Sequence, residues 1–229
     1  MITITNAELK NAVLRVGDGR GFVVERQHYL SGAERIVITA AHCLPRLPPP
    51  YEQLLQLPTP HPMRCLHEGT YSHLLGPLGA DPTVWAECLF VDPVADIAVL
   101  GQPDGQELYE EAETYDRLVD DMTALKVADA PPPGLELIDG VGGHKFKNPT
   151  PGKGSACVLS LEGHWIEGSV ERRRSALAFK PEKAFVGGMS GSPIIDGAGA
   201  AIGVVSVDMM SPVIVDALSA LLVRSLLVR

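Results

Sequence analysis

The strongest constraint on what this chain can fold into is its punctuation: short runs of β-type residues recur along it, each cut off by glycine, proline or a polar turn. They lie at Gly21–Glu25, Arg35–Thr39, Ala86–Val91, Ile97–Gly101, Leu135–Val141, Ser155–Leu161, Ala176–Phe179, Pro193–Asp196 and Ala201–Val207. Many short strands at such spacing point to a sandwich or a barrel. Two stretches read as helix instead. One is the acidic segment from about Asp104 to Met122; the other opens at Ser211-Pro212, a cap followed by a first-turn proline, and presents Val213, Val215, Leu218, Leu221 and Leu222 on one wide face. The proline-rich stretch Pro45 to Pro82 is expected to be a long surface excursion, and Pro131-Pro132-Pro133 to join two halves. A length of 229 residues accommodates one large all-β domain or two small barrels sharing a face.

Composition narrows the partners. The formal charge of −9 argues against nucleic acid, whose binding relies on Lys and Arg displacing counterions. The N-terminus lacks a basic region followed by an apolar run, so no secretory signal is expected. Pro212 to Val228 comes nearest to a membrane span, and Asp216 and Arg224 interrupt it. Four cysteines (Cys43, Cys65, Cys88, Cys157) are few for a secreted chain of this size; free thiols are expected, although two disulfides remain arithmetically open. Together these features predict a cytoplasmic protein.

Three motifs carry chemistry. Ile36-Val37-Ile38-Thr39-Ala40-Ala41-His42-Cys43 is a β-branched strand running into small residues and a histidine. Asp96-Ile97-Ala98-Val99-Leu100 is an aspartate opening an apolar strand. Gly187-Gly188-Met189-Ser190-Gly191-Ser192-Pro193 is a serine in a glycine-rich turn. A serine hydroxyl attacks well only when a base takes its proton, and imidazole suits that task near neutral pH. A carboxylate on the other ring nitrogen fixes the tautomer and steadies the transient imidazolium. The developing oxyanion needs donors already in place, which a tight turn can offer from the N–H groups of Gly188 and Ser190.

In sequence and order these motifs resemble those of the trypsin-like (chymotrypsin-fold) serine peptidases, with T-A-A-H-C, then D-I-A-L, then G-x-S-G-x-P. The chain order His, Asp, Ser is that of the family and differs from the order in α/β-hydrolases. Gly19-Arg20-Gly21-Phe22-Val23-Val24 resembles the first strand of bacterial members. Gly203-Val204-Val205-Ser206 resembles the strand lining the substrate cleft, where the serine supports the aspartate. The resemblance implies an all-β fold of two antiparallel six-stranded barrels with a C-terminal α-helix, residues 1–125 carrying His42 and Asp96 and residues 126–229 carrying Ser190. It implies a serine endopeptidase acting on protein or peptide substrates through an acyl-enzyme, with no cofactor and no metal. Ala184, Ser206, Val207 and Asp208 would line the substrate site. Since Ala184 stands where trypsin-type enzymes carry an acid, a simple preference for Lys or Arg is not supported.

Departures from the pattern matter as well. Met189 occupies the position of an aspartate that, in animal digestive enzymes, pairs with a newly cut N-terminus. Activation by N-terminal insertion is therefore not expected, and the site is either formed constitutively or ordered by substrate or an activating protein partner. Cys43 has no upstream cysteine to bridge. A regulatory or defence peptidase with few targets fits a cytoplasmic setting. The rivals are a catalytically silent binding module of the same fold and an esterase using the same triad.

Blander readings stand beside these. Asp92, before Pro93, competes with Asp96 but suits a turn, and Ser192 suits a turn or strand. His61, Cys65, His67, His73 and Cys88 lack paired zinc spacing and read as surface scatter. Gly140 to Lys147 lacks the ending of a phosphate loop and reads as a loop at the cleft. The acidic helix reads as a solvated face, with a docking surface for a basic partner as the minor alternative.

Overall fold

The computed structural model describes residues 6–28, 32–48, 69–92, 96–128, 153–173 and 176–206. A short helix α1 (Asn6–Asn11) precedes six strands: β1 (Val13–Val16), β2 (Gly19–His28), β3 (Gly32–Thr39), β4 (Thr70–Gly76), β5 (Val84–Asp92) and β6 (Ile97–Gly101). They close into an antiparallel barrel in the order β1-β2-β3-β6-β5-β4. Helix α2 (Tyr109–Asp120) follows. Five further strands, β7 (Lys153–Leu159), β8 (Trp165–Arg173), β9 (Ala176–Pro181), β10 (Pro193–Asp196) and β11 (Ala201–Val204), form a curled half-barrel in the order β11-β10-β7-β8-β9. The fold is all-β, of the chymotrypsin-like two-barrel kind.

The β-branched runs explain the first barrel. Phe22, Val23 and Val24 of β2, Ile36, Val37 and Ile38 of β3 and all five residues of β6 are buried. Strands buried on both faces read as continuous apolar runs, which is why these were visible in the sequence. In β10 and β11 the period of two does different work. Ile194, Ile202 and Val205 face the core of the second unit, whereas their neighbours Ile195, Ala201 and Val204 join the core of the first barrel. The two units are thus packed through opposite faces of the same two strands. Between them, Leu125 bridges to Val24 and Val127 bridges to Ala201.

Five strands of the second unit lie among the described residues; the run Leu135–Val141 and the C-terminal helix from Pro212 fall outside them. One expectation needs correction. Thr70–Gly76 is not surface excursion but the strand that closes the first barrel between β1 and β5. Its alternation is broken because His73 takes a positive φ of 53° and the register shifts between Tyr71 and Leu75, so Leu74 and Leu75 are both buried in succession. Strand β8 was hidden by its polar face: Ile166 and Val170 are buried while Glu167 is exposed.

Helix α2 docks on the barrel by Ala112, Tyr115 and Val119, leaving its acidic face in water. Arg35 of β3 reaches its C-terminal end, where Nη1 donates to the carbonyls of Val119 (2.6 Å), Asp120 (3.0 Å) and Met122 (2.6 Å). A cation there satisfies carbonyls the helix leaves over and meets the negative end of its dipole. Arg35→Ala is expected to cost about 2 kcal/mol, the scale of hydrogen bonds from a charged donor. Urea unfolding monitored by far-UV circular dichroism will measure it, and Arg35→Lys should recover part.

Candidate active site

The site lies where the first barrel meets the turn before β10. Strand β3 delivers the buried Ala40 to a single 3-10 turn, Ala41–Cys43. Ala41 and Cys43 pack inward and His42 is left at the surface with its side chain one-third exposed. Asp96 opens β6 with a positive φ of 55°, a conformation aspartate tolerates better than most residues. The fully buried strand that follows anchors it.

Three donors converge on the Asp96 carboxylate. His42 Nδ1 lies 2.8 Å from Oδ2, the His42 backbone N–H donates to Oδ1 at 3.0 Å, and Ser206 Oγ donates to Oδ2 at 2.5 Å. With an acceptor on Nδ1, that nitrogen carries the ring proton and Nε2 is left as a base. Asp92 is placed differently, at the end of β5 opposite Ile97.

Ser190 sits in the turn that leads into β10. Met189, beside it, is buried in the second core. The Ser190 carbonyl accepts from the Arg20 N–H at 2.7 Å, and the Gly191 N–H donates to Val205 at 2.7 Å. Among the described residues the N–H groups of Gly188 and Ser190 donate to no backbone carbonyl. Gly188 takes a φ of +88° and Gly191 a φ of +82°. Nor is there a hydrogen bond between the Ser190 hydroxyl and His42 among those residues; the Ser190 backbone is what ties the turn to the His42 side. Gly19 marks how close the approach is. A Cβ added there would meet Cys43 Sγ at 2.5 Å and the Ser190 carbonyl oxygen at 2.7 Å, and Cys43 Sγ is itself 4.0 Å from His42 Nε2.

Neither a protein-family model nor a curated protein matches the sequence. Among solved structures, one titled "Crystal structure of Deg5" is similar with a TM-score of 0.46 and 12% identity, over 93% of this chain and 88% of that chain.

Of the remaining predicted residues, Ser206 binds Asp96, Ala184 is exposed in the segment after β9, and Val207 and Asp208 lie outside the described residues. Phe185, beside Ala184, stacks on Phe179 at 5.8 Å. Cys43, Cys88 and Cys157 are free thiols. Burial pushes the Cys43 thiol up to about 11, so it stays protonated at neutral pH and is a poor rival to a serine nucleophile despite its closeness to His42. No group of three or more His, Cys, Asp or Glu among the described residues could hold a metal ion. His73 instead packs against Trp85 and Cys88 donates to the Phe90 carbonyl; His61, Cys65 and His67 lie outside the described residues. A cavity of about 640 Å³ opens elsewhere, over the second sheet among Ser155, Cys157, Glu167, Ser169, Lys180 and Asp196. No helix among the described residues is long and apolar enough to cross a membrane.

Sequence reasoning missed Arg20. It is the buried charge between Gly19 and Gly21, with its guanidinium donating to the carbonyls of Leu159 (2.7 Å) and Ser160 (3.1 Å). Burial pushes its pKa down, against the pull of Glu162. The signal was an arginine set between two glycines immediately ahead of the apolar run Phe22–Val24.

Proposed function

We propose that this protein is a serine endopeptidase. Ser190 attacks a peptide carbonyl while His42 Nε2 takes its proton. The N–H groups of Gly188 and Ser190 receive the developing oxyanion. His42 returns the proton to the leaving amine, the C–N bond breaks, and water activated by the same imidazole releases the acyl group. Asp96 holds the imidazole in the working tautomer and does not itself exchange the proton. The observation that carries this reading is the chain from Ser206 through Asp96 to His42, with both carboxylate oxygens engaged. A histidine that merely filled a core would not be left at the surface with its Nδ1 fixed by a carboxylate.

A fluorophosphonate probe tests it, read by intact mass and peptide mapping. Wild type is expected to gain one probe mass at Ser190, Ser190→Ala and His42→Ala none, and Cys43→Ala a full one. Labelling that followed Cys43 would transfer the nucleophile's role. No label on a folded wild type would favour the silent binding module, unless an added partner restores it. Hydrolysis of peptide substrates by the unlabelled protein, lost in Ser190→Ala, separates a peptidase from an esterase that takes esters alone.

A further inference from the structure

Arg20 joins three parts of the site at once. Its N–H holds the Ser190 carbonyl, and its own carbonyl accepts from Thr39 Oγ1 at 2.6 Å. That carbonyl oxygen would lie 1.8 Å from a Cβ on Gly191, so β2 and the Ser190 turn are in backbone contact. The side chain then crosses to the second unit and grips the Leu159 and Ser160 carbonyls at the start of the β7–β8 turn. Ser160 closes that turn through His164 and Gly163. At its tip stands Leu161, 46% exposed, and its methyl groups are the nearest side-chain atoms to the open side of Gly188, 3.7 Å from where a Cβ would be.

The placement is costly if its purpose is only to join two units. The guanidinium is buried on two neutral carbonyls, and the charge that favours it, Glu162, stands exposed on the same turn, where water weakens its pull. An apolar side chain would fill the same space without that penalty. What the guanidinium supplies is direction: two N–H bonds in a planar fork fix the turn relative to the strand that holds Ser190.

We infer that Arg20 is a positioning residue that couples the β7–β8 turn to the Ser190 turn, its side chain on the Leu159 and Ser160 carbonyls and its N–H on the Ser190 carbonyl, so that the Gly188 and Ser190 N–H groups keep the convergence the proposed mechanism needs. The inference rests on the proposed role of Ser190. The reaction's demand on such convergence is steep, since small misplacements of reacting groups can cost about 100-fold.

The test is fluorophosphonate labelling of the full chain across probe concentrations, which separates the maximal labelling rate kinact from the half-saturating concentration KI. Thermal unfolding of each variant is measured alongside, and labelling is run well below every midpoint. Arg20→Met is expected to lower kinact between about 10- and 100-fold with KI little changed. Arg20→Lys keeps the charge and reaches one carbonyl, so its kinact should fall between the two. A merely structural role would lower the unfolding midpoint and leave kinact of the folded protein within about 2-fold, and that result overturns the inference. If Arg20→Met does not fold, Arg20→Lys decides alone: wild-type kinact overturns the inference and a several-fold loss supports it. Wild type that takes no label, with or without an added partner, is a separate outcome, because it removes the role of Ser190 and this inference with it.

Discussion

Replacing Asp96 with asparagine is expected to slow acylation of Ser190 by about four orders of magnitude while the fold survives. The reason lies in the donor count. The carboxylate accepts three hydrogen bonds, from the His42 backbone, from His42 Nδ1 and from the Ser206 hydroxyl, and offers none in return. An amide must place its NH₂ at one of the two oxygen positions. At the Oδ2 position it faces Nδ1, which must then become an acceptor; the ring proton moves to Nε2 and the imidazole can no longer take a proton from serine. At the Oδ1 position the NH₂ confronts the His42 backbone N–H, donor against donor, and the pair separates. Either arrangement removes the base. The rate of fluorophosphonate labelling at neutral pH measures the effect, and circular dichroism checks the fold. Ser206→Ala provides the graded comparison. It deletes one hydrogen bond to a charged acceptor, worth about 1.5–3 kcal/mol, and leaves the tautomer alone. Its loss should stay near 10- to 100-fold. Equal rates in wild type and Asp96→Asn would mean that His42 is not oriented by this carboxylate.

The parts of the molecule legible in the sequence share one physical property: they are set by local pattern. Strands β3 and β6 are buried on both faces, so their residues form unbroken apolar runs, and the motifs at His42 and Asp96 hang directly from those runs. The serine turn is similar, because φ values of +88° and +82° at Gly188 and Gly191 demand glycine whatever surrounds them. What escaped notice depends on contacts far along the chain. Strand β4 is a strand because β1 and β5 flank it, and its backbone carries an irregularity at His73 that erases the alternation. Arg20 reads as one more charged residue until the strand it sits on meets the Leu159–Ser160 carbonyls, 139 and 140 residues away. Ser206 is intermediate. The resemblance suggested it would support the aspartate, and only the meeting of β11 with the first barrel brings it within bonding distance of Asp96.

Alanine at Gly191 is expected to be the most damaging glycine-to-alanine change among the described residues. A Cβ there would lie 1.8 Å from the Arg20 carbonyl oxygen and 2.6 Å from Thr39 Oγ1, and both belong to the first barrel, one of them backbone. Neither can yield without pulling β2 away from β3 or breaking the bond between Thr39 and Arg20. The left-handed φ adds about 1–2 kcal/mol for any side chain, and forced overpacking adds about 1–3 kcal/mol. A total of roughly 2–5 kcal/mol threatens a domain whose whole stability is on the order of 5–15 kcal/mol. Two other glycines separate the causes. Gly79, between β4 and β5, has a φ of +83° with nothing within 4 Å of its would-be Cβ, so Gly79→Ala should show the dihedral cost alone and label at the wild-type rate. Gly188 has a φ of +88° and its nearest neighbour at 3.7 Å, so alanine fits the space there too. What it disturbs is the direction of an N–H that the proposed mechanism aims at the oxyanion, and losing one such donor costs about 100- to 1000-fold. Urea midpoints should therefore rank Gly79→Ala with Gly188→Ala and set Gly191→Ala well below, while labelling rates should set Gly188→Ala far below Gly79→Ala. If Gly188→Ala and Gly79→Ala label equally fast, the Gly188 N–H is not part of the anion site; if Gly191→Ala unfolds no earlier than Gly79→Ala, the close approach of the two units at Arg20 is not what holds the serine turn.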